Sequence, residues 1–276
     1  MNPVRKDAMK TVNAYSSQAR VLVKSYLLAS PFVPYTSIVG GVVASKVVYD
    51  LTQLISTFYI KPYSGLTKIQ RTEWNNRGMS SMHAFFITAL SLYFVFWSDL
   101  FSERTSDDFV TLRTSMLSTF GLGVSVGYFV ADMALMFWNY PLLGGLEYVI
   151  HHFLSAFALI YTMLSGEGQI YCYMCLISEL TTPEINLRWY LDVSGMKRSA
   201  AYIINGVLIF MFWLIGRIVL FLYIFRHIYE HHDQVAQMSA FGRTVAVAVP
   251  LVLFAMNVAW FAKIVKGLKK TLTKRQ

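Results

Sequence analysis

An all-α, multi-pass membrane protein is what this sequence predicts, on three observations. Of its 276 residues 55% are hydrophobic and only 14% charged, against about 25% charged in soluble domains. Mean hydropathy is +0.47, which leaves more apolar surface than a soluble globule can hide. The apolar residues also gather into runs matching the roughly 20 residues a spanning helix needs, joined by connections too short to hold separate domains.

The elements follow in order. Met1–Ser30 is mixed polar and basic and lacks the charged, apolar, cleavable order of a signal peptide. Within it, Asn13–Leu28 alternates apolar residues with Arg20 and Lys24 and is expected to lie along the membrane surface. A first spanning helix, Tyr35–Ile60, is interrupted by Lys46 and Asp50; four residues apart, they share a face where a mutual ion pair lowers the insertion cost. The second, Gly78–Ser98, contains His83. The third, Thr114–Trp138, brings Gly121, Gly123 and Gly127 to a closely packable face, with Asp132 near its end. The fourth, Gly145–Leu164, carries His151 and His152. The fifth, Gly168–Leu191, contains Glu179, Pro183 and Arg188 and reads as a broken or re-entrant helix as much as a spanning one. The sixth, Ser199–Phe225, carries Arg217, and the seventh is Thr244–Ala262. The expected organisation is a surface segment and first helix over 1–70, a helical domain over 71–270 and a basic tail over 271–276.

A formal net charge of +9 invites a nucleic-acid reading, but the basic residues collect at segment ends and termini, where they orient the chain and meet anionic headgroups. With seven spans, thirteen Lys and Arg fall on the tail's side and nine on the other; if the fifth segment does not span, the split is sixteen to six. Either way Lys263, Lys266, Lys269, Lys270, Lys274 and Arg275 place the C-terminus in the cytosol, against anionic lipid headgroups. The two cysteines, Cys172 and Cys175, lie in an apolar helical run with no second pair to complete a zinc site, so they read as buried thiols.

Chemistry is expected around the fourth helix. No charged residue occurs from Tyr148 to Gly166, yet two imidazoles sit near the start of that run. Ionisable groups at membrane depth persist mostly where they face a bundle interior or a water-filled cavity. Glu147, His151 and Ser155 are spaced by four and share a face, with Tyr148 and His152 on the next. A histidine so placed can accept a proton at neutral pH, and Glu147 one turn away would fix its tautomer; the pair can equally be two structural imidazoles bonded between helices. No metal is expected, because adjacent histidines point about 100° apart on a helix and rarely share an ion. A second group, His227, His231 and His232 with Glu230 and Asp233, reads as a solvated loop after the sixth helix. Around Pro183, the residues Glu179, Thr182, Asn186 and Arg188 surround freed backbone of the kind that lines cavities. Arg217 needs a counter-charge, with Glu179 preferred to Asp132.

Four blocks carry a family resemblance: E-W-N-N-R-G-M-S-S-M-H (Glu73–His83), G-Y-F-V-A-D (Gly127–Asp132), E-Y-V-I-H-H-F-L-S (Glu147–Ser155) and S-E-L-T-T-P-E-I-N-L-R-W-Y-L (Ser178–Leu191). Together, and in this order, they resemble the TLC domain family, which includes the ceramide synthases, over about Arg71–Lys270. The resemblance implies a six-helix TLC bundle around a lipid-accessible cavity, here preceded by one extra N-terminal helix, in the endoplasmic reticulum or a related endomembrane. In ceramide synthases the paired histidines belong to the site that moves a fatty acyl group from coenzyme A to a sphingoid amine, and His151 and His152 match that pair. Those enzymes follow it with a helix carrying His-Asp and a further Asp; this chain has Cys175-Leu-Ile-Ser-Glu179-Leu-Thr-Thr-Pro183 instead.

The leading expectation is therefore a protein that binds a membrane lipid or fatty acyl chain and acts in lipid homeostasis or trafficking. Its cavity would be lined by His83, Tyr128, Asp132, Glu147, Glu179, Asn186, Arg188 and Arg217. One alternative is an acyl-CoA-dependent acyltransferase with His151 or His152 catalytic, acyl-CoA being a cosubstrate and no cofactor needed. Another is a membrane-protein chaperone or translocation accessory.

Overall fold

The computed structural model describes residues 31–102 and 109–273. The surface segment expected over Asn13–Leu28 and the tail residues Lys274 and Arg275 lie outside them. Among the described residues the secondary structure is helical, and six helices are long and apolar enough to cross a membrane.

The first rod is α1 (Val33–Tyr59), followed by one turn, α2 (Lys61–Ser64). Next, α3 (Lys68–Leu92) runs into a π-helical turn at Tyr93–Trp97. It begins some three turns before the expected Gly78, because a reciprocal cap starts it. Thr67 Oγ1 accepts from Gln70 N at 3.3 Å and Gln70 Oε1 accepts from Thr67 N at 3.0 Å, satisfying two backbone donors that a bare helix end leaves open. A Ser115/Ser118 box opens α4 (Met116–Trp138) in the same way. The turn from α5 (Leu146–Ser165) to α6 (Gln169–Leu176) uses Gly166 and Gly168 at φ +78° and +74°, a left-handed region that costs glycine nothing.

The fifth segment is helical throughout but broken: α6 gives way to a 3-10 turn at Ile177–Thr181 and then α7 (Thr182–Val193). Pro183 in the first turn of α7 has no N–H for the carbonyl of Glu179, so the ladder cannot pass through. The next rod is α8 (Ala200–Trp213), a π turn at Leu214–Val219 and α9 (Leu220–Glu230). After the short α10 (His232–Ala236), α11 (Ala240–Thr273) completes the bundle, extending beyond the expected Thr244–Ala262 at both ends. The loop expected after the sixth helix is thus mostly helix. His227, in the last turn of α9, stacks on His231 with ring centroids 4.0 Å apart, as the spacing of four on one helical face dictates.

Successive rods alternate in direction, so the starts of α3, α5 and α8 share a face with the ends of α1, α4, α7 and α11. An aromatic cluster ties that face together: Trp74 of α3 donates to Ser56 of α1 at 2.9 Å, and Tyr190 of α7 donates to the Trp74 carbonyl at 2.8 Å. Elsewhere α1 lies flush on α4. A Cβ on Gly41 would collide with the Val124 carbonyl, one on Gly123 with Ser37 Oγ, and one on Gly127 with the Ile38 carbonyl, so Gly123 and Gly127 of the predicted glycine face are spent on this contact, while Gly121 faces Leu90 and Tyr173 instead.

Candidate functional site

A cavity of about 680 Å³ opens between α3, α4, α5, α7, α8 and α11. Its position follows from side-chain size. Where α1 meets α4 the residues are small and the backbones touch; on the other side of α4, Asp132, His152 and Arg217 are too large and too polar to interdigitate. Polar groups at this depth must find partners inside the protein, and three sets do so.

In the first, Asp132 is buried and both its oxygens accept: Oδ1 from Asn76 Nδ2 at 2.7 Å and Oδ2 from His152 Nε2 at 2.7 Å. His152 Nδ1 lies 2.9 Å from the Tyr148 carbonyl. With a carbonyl before one ring nitrogen and a carboxylate before the other, the contacts match an imidazolium donating from both. His152 is thereby spoken for. His151 is the opposite case: its Nδ1 is buried with no hydrogen-bond partner, and its ring stands edge-on to Trp260 at 5.5 Å. The two imidazoles are 5.6 Å apart and inclined at 79°, as neighbours on a helix must be.

The second set surrounds Arg217, which the π turn rotates inward. Nε donates to Thr181 Oγ1 at 2.7 Å and Nη1 to Asn257 Oδ1 at 3.2 Å, while Nη2 lies 3.8 Å from Glu179 Oε1. Glu179, not Asp132, is therefore the carboxylate facing Arg217, and Thr182 Oγ1 donates to it at 2.7 Å. The contact exists because the 3-10 turn swings residues 179 and 181 to one side. The third set forms the mouth. Arg77 is paired with Glu73 at 2.7 Å and donates to Asn186 Oδ1 at 3.0 Å. Arg188 stacks over Tyr202, centroid distance 3.3 Å, and donates to the Tyr202 carbonyl. Exposed Lys263 of α11 completes the rim.

From His151, Glu179 and Arg217 a narrow, mainly apolar crevice of about 60 Å³ continues between α5, α6 and α11 towards Glu167. Ser155 lines it with His151, as their shared face predicts. Glu167, in the loop after α5, closes the far end by accepting from Tyr161 Oη at 2.5 Å and from Ser239 N and Oγ at 2.9 and 2.8 Å. Partial burial raises the Glu167 carboxyl, but these bonds outweigh it and hold the group below its ordinary value.

Two expected cavity residues lie elsewhere. Glu147 is exposed in the first turn of α5 and folds back over Gly145, where a carboxylate favours the positive end of the helix dipole. It makes no bond to His151, and the partner that orients an imidazole here is Asp132. His83 sits behind the wall, stacked on Tyr128 at 3.8 Å and 3.2 Å from Ser125 Oγ; it supports the lining residue Tyr128 without facing the cavity. Tyr128, Asp132, Glu179, Asn186, Arg188 and Arg217 do line it, with both paired histidines. Sequence reading missed Asn76, Thr181, Asn257 and Trp260. Asn76 had a usable signal, since Glu73, Asn76, Arg77 and Ser80 form a polar stripe one helical face wide. Asn257 was the lone amide in an apolar run. No three His, Cys, Asp or Glu residues are grouped to hold a metal ion among the described residues.

These features define a class: a multi-pass helical membrane protein with a polar cavity inside the bundle. The TLC domain family model matches residues 73–266, more than half of the chain, and the chain belongs to that family. It is similar to TLC domain-containing protein 4-B of Xenopus laevis, 28% identical over 89% of this chain and 93% of the relative. Human TLC domain-containing protein 4 is 26% identical over 76% of this chain and 80% of its own length. A more distant relative, TLC domain-containing protein 2 of Danio rerio, is 22% identical over 71% of this chain. No solved structure matches the chain.

Proposed function

We propose that this protein binds a membrane lipid or fatty acyl chain in its cavity and acts in lipid homeostasis or trafficking, in the endoplasmic reticulum or a related endomembrane with the C-terminus cytosolic. The observation that carries the reading is that two spaces share His151, Glu179 and Arg217 in their walls: a larger cavity that holds the polar clusters and a cationic rim, and a narrow apolar crevice. That is the shape of an amphiphile, its headgroup among hydrogen-bonding side chains and its chain among apolar ones. Four unpartnered polar atoms, Asn76 Oδ1, His151 Nδ1, Tyr171 Oη and Asn257 Nδ2, belong to residues lining these spaces, and buried polar atoms of this kind call for a ligand or water.

The test is mass spectrometry of lipid co-purified with the full chain from native membranes. One lipid class enriched near one per chain, and depleted in a folded Asp132→Asn or His151→Leu variant, is expected. A folded protein carrying only the bulk lipid mixture, unchanged by either variant, sinks the proposal.

A second reading, acyl transfer from acyl-CoA, is favoured by the division of labour between the histidines. His152 is fixed by Asp132, whereas His151 keeps a nitrogen free to take the proton of an attacking amine or hydroxyl. Turnover of acyl-CoA with an amine or lysolipid, abolished by His151→Ala, would establish it. Crosslinks to nascent membrane proteins with neither lipid nor turnover would point to the chaperone role.

A further inference from the structure

Lys46 is the central residue of α1, about 20 Å from either end at the α-helical rise. Its Nζ lies 2.6 Å from Asp50, and the two side chains are 70% and 54% exposed. On both sides the same surface of the helix is apolar and outward, with Val39 and Val43 before the pair and Leu54 and Phe58 after it. The charges therefore stand against hydrocarbon. Asp132 with His152 and Glu179 with Arg217, the pairs deep in the bundle, are turned inward. Charged side chains in spanning helices are costly and almost always face other protein or water. The bond within α1 reduces that cost, yet it leaves the outer ammonium donor and carboxylate lone pairs unsatisfied.

A second feature sits on the edge of the same surface. Gly40 has open space where a Cβ would stand, and exposed Ala44 follows four residues on. Small residues at this spacing let two helices in a membrane approach closely. Gly41, on the opposite side of α1, is already used against α4; this pair is not.

We infer that the outer face of α1 is an interface between two copies of this chain, related by a two-fold axis along the membrane normal. Lys46 of each copy reaches Asp50 of the other while keeping its own. The occupant follows from charge complementarity. A two-fold axis presents each copy with the same Lys-and-Asp pair at the same depth, so the four charges sum to zero with no outside partner required. The offset between positions 46 and 50 is about 6 Å along the helix, within reach of a flexible lysine stem. The site is independent of the cavity, so lipid binding and dimer formation can fail separately.

The experiment uses the full chain in liposomes, with Val47→Cys as the reporter and Leu222→Cys, on the exposed face of α9, as the control. A thiol crosslinker should give a dimer band for the cysteine at 47 and little for that at 222. Adding Lys46→Asp places four like charges together and should lower the dimer fraction at least tenfold. Adding Asp50→Lys to that variant exchanges the charges, and the dimer should return, which separates a lost interface from a lost fold. Single chains by photobleaching step counts, equal crosslinking at 47 and 222, or a different protein crosslinked to position 47 in native membranes would each overturn the assignment.

Discussion

Two seams of α4 show opposite ways of filling a membrane interior. Against α1 it presents Gly123 and Gly127, and the backbones come so close that a single methyl group would meet main chain. On its other side it presents Tyr128, Asp132 and Met136, and there the bundle stands open around about 680 Å³. One seam is closed by small residues and dispersion, the other propped by large polar groups that bond to one another. Side-chain size thus decides where this bundle is solid and where it is hollow. Polarity decides what must happen in the hollow.

The propped seam breaks hardest when one strut is removed. Arg217→Met leaves Glu179 facing an apolar side chain and strips Thr181 and Asn257 of their donor, a loss of about 3–5 kcal/mol for a buried partner left alone. The folded yield and the melting temperature in detergent should fall sharply. Arg217→Met with Glu179→Gln should be better folded than Arg217→Met alone, since no buried charge remains, while lipid binding is lost. If the double variant is no more stable than the single one, the 3.8 Å approach of the two groups contributes nothing.

The closed seam breaks by overfilling. Gly127→Leu drives a side chain into the α1 backbone, and overpacking of this kind costs about 1–3 kcal/mol, here near the upper end because main chain cannot step aside as a rotamer can. Limited proteolysis should then release α1 from an otherwise folded bundle. Gly121→Leu makes the contrast sharper. Its Cβ would meet side-chain atoms, Leu90 Cδ2 and Tyr173 Oη, and no main chain, so it should be tolerated better than the change at 127. Asp132→Asn, in the propped seam, should cost about 1–3 kcal/mol, the range for disturbing a buried hydrogen bond. It keeps the contact with Asn76 but removes the charge that His152 faces. Bound lipid should fall more steeply than stability does.

How much of this was legible in the sequence differs between the seams for the same physical reason. Rods, glycine face and the break at Pro183 are local: each is written in spacing, in residue size or in a missing N–H, and Lys46 with Asp50 is readable as two residues four apart. The start of α3 escaped because windows of apolar residues overlook a polar first turn, although Thr67 and Gln70 spell out its cap. The propped seam depends on pairs remote in sequence. Asn76 meets Asp132 across 56 positions and Arg217 meets Asn257 across 40, and no periodicity encodes such a meeting. A charge at membrane depth announces that it has a partner. Only for Glu179 did proximity to a helix break help choose one, and for His151 the neighbouring carboxylate at 147 misled, because the first turn of a helix turns outward as readily as inward.

The smallest effect is expected at the closed end of the crevice, where Glu167 joins the α5–α6 loop to the start of α11. Its carboxylate accepts from Tyr161, Ser239 N and Ser239 Oγ, and these bonds hold it below its ordinary value. A group whose folded value is depressed binds protons more readily when unfolded, so the stability it contributes is complete above the unfolded value, about 4.3 for glutamate, and is lost as pH falls from there through the folded value. Glu167→Gln removes the titrating group and leaves an amide oxygen to accept from Tyr161 or Ser239. At neutral pH the variant should melt slightly below the native chain, and the gap should narrow through the acid range as the native carboxylate takes up its proton. A melting difference at Glu167 that stays constant from neutral pH down to about pH 2, well below the unfolded value, would show that the loop is held by packing and not by this carboxylate.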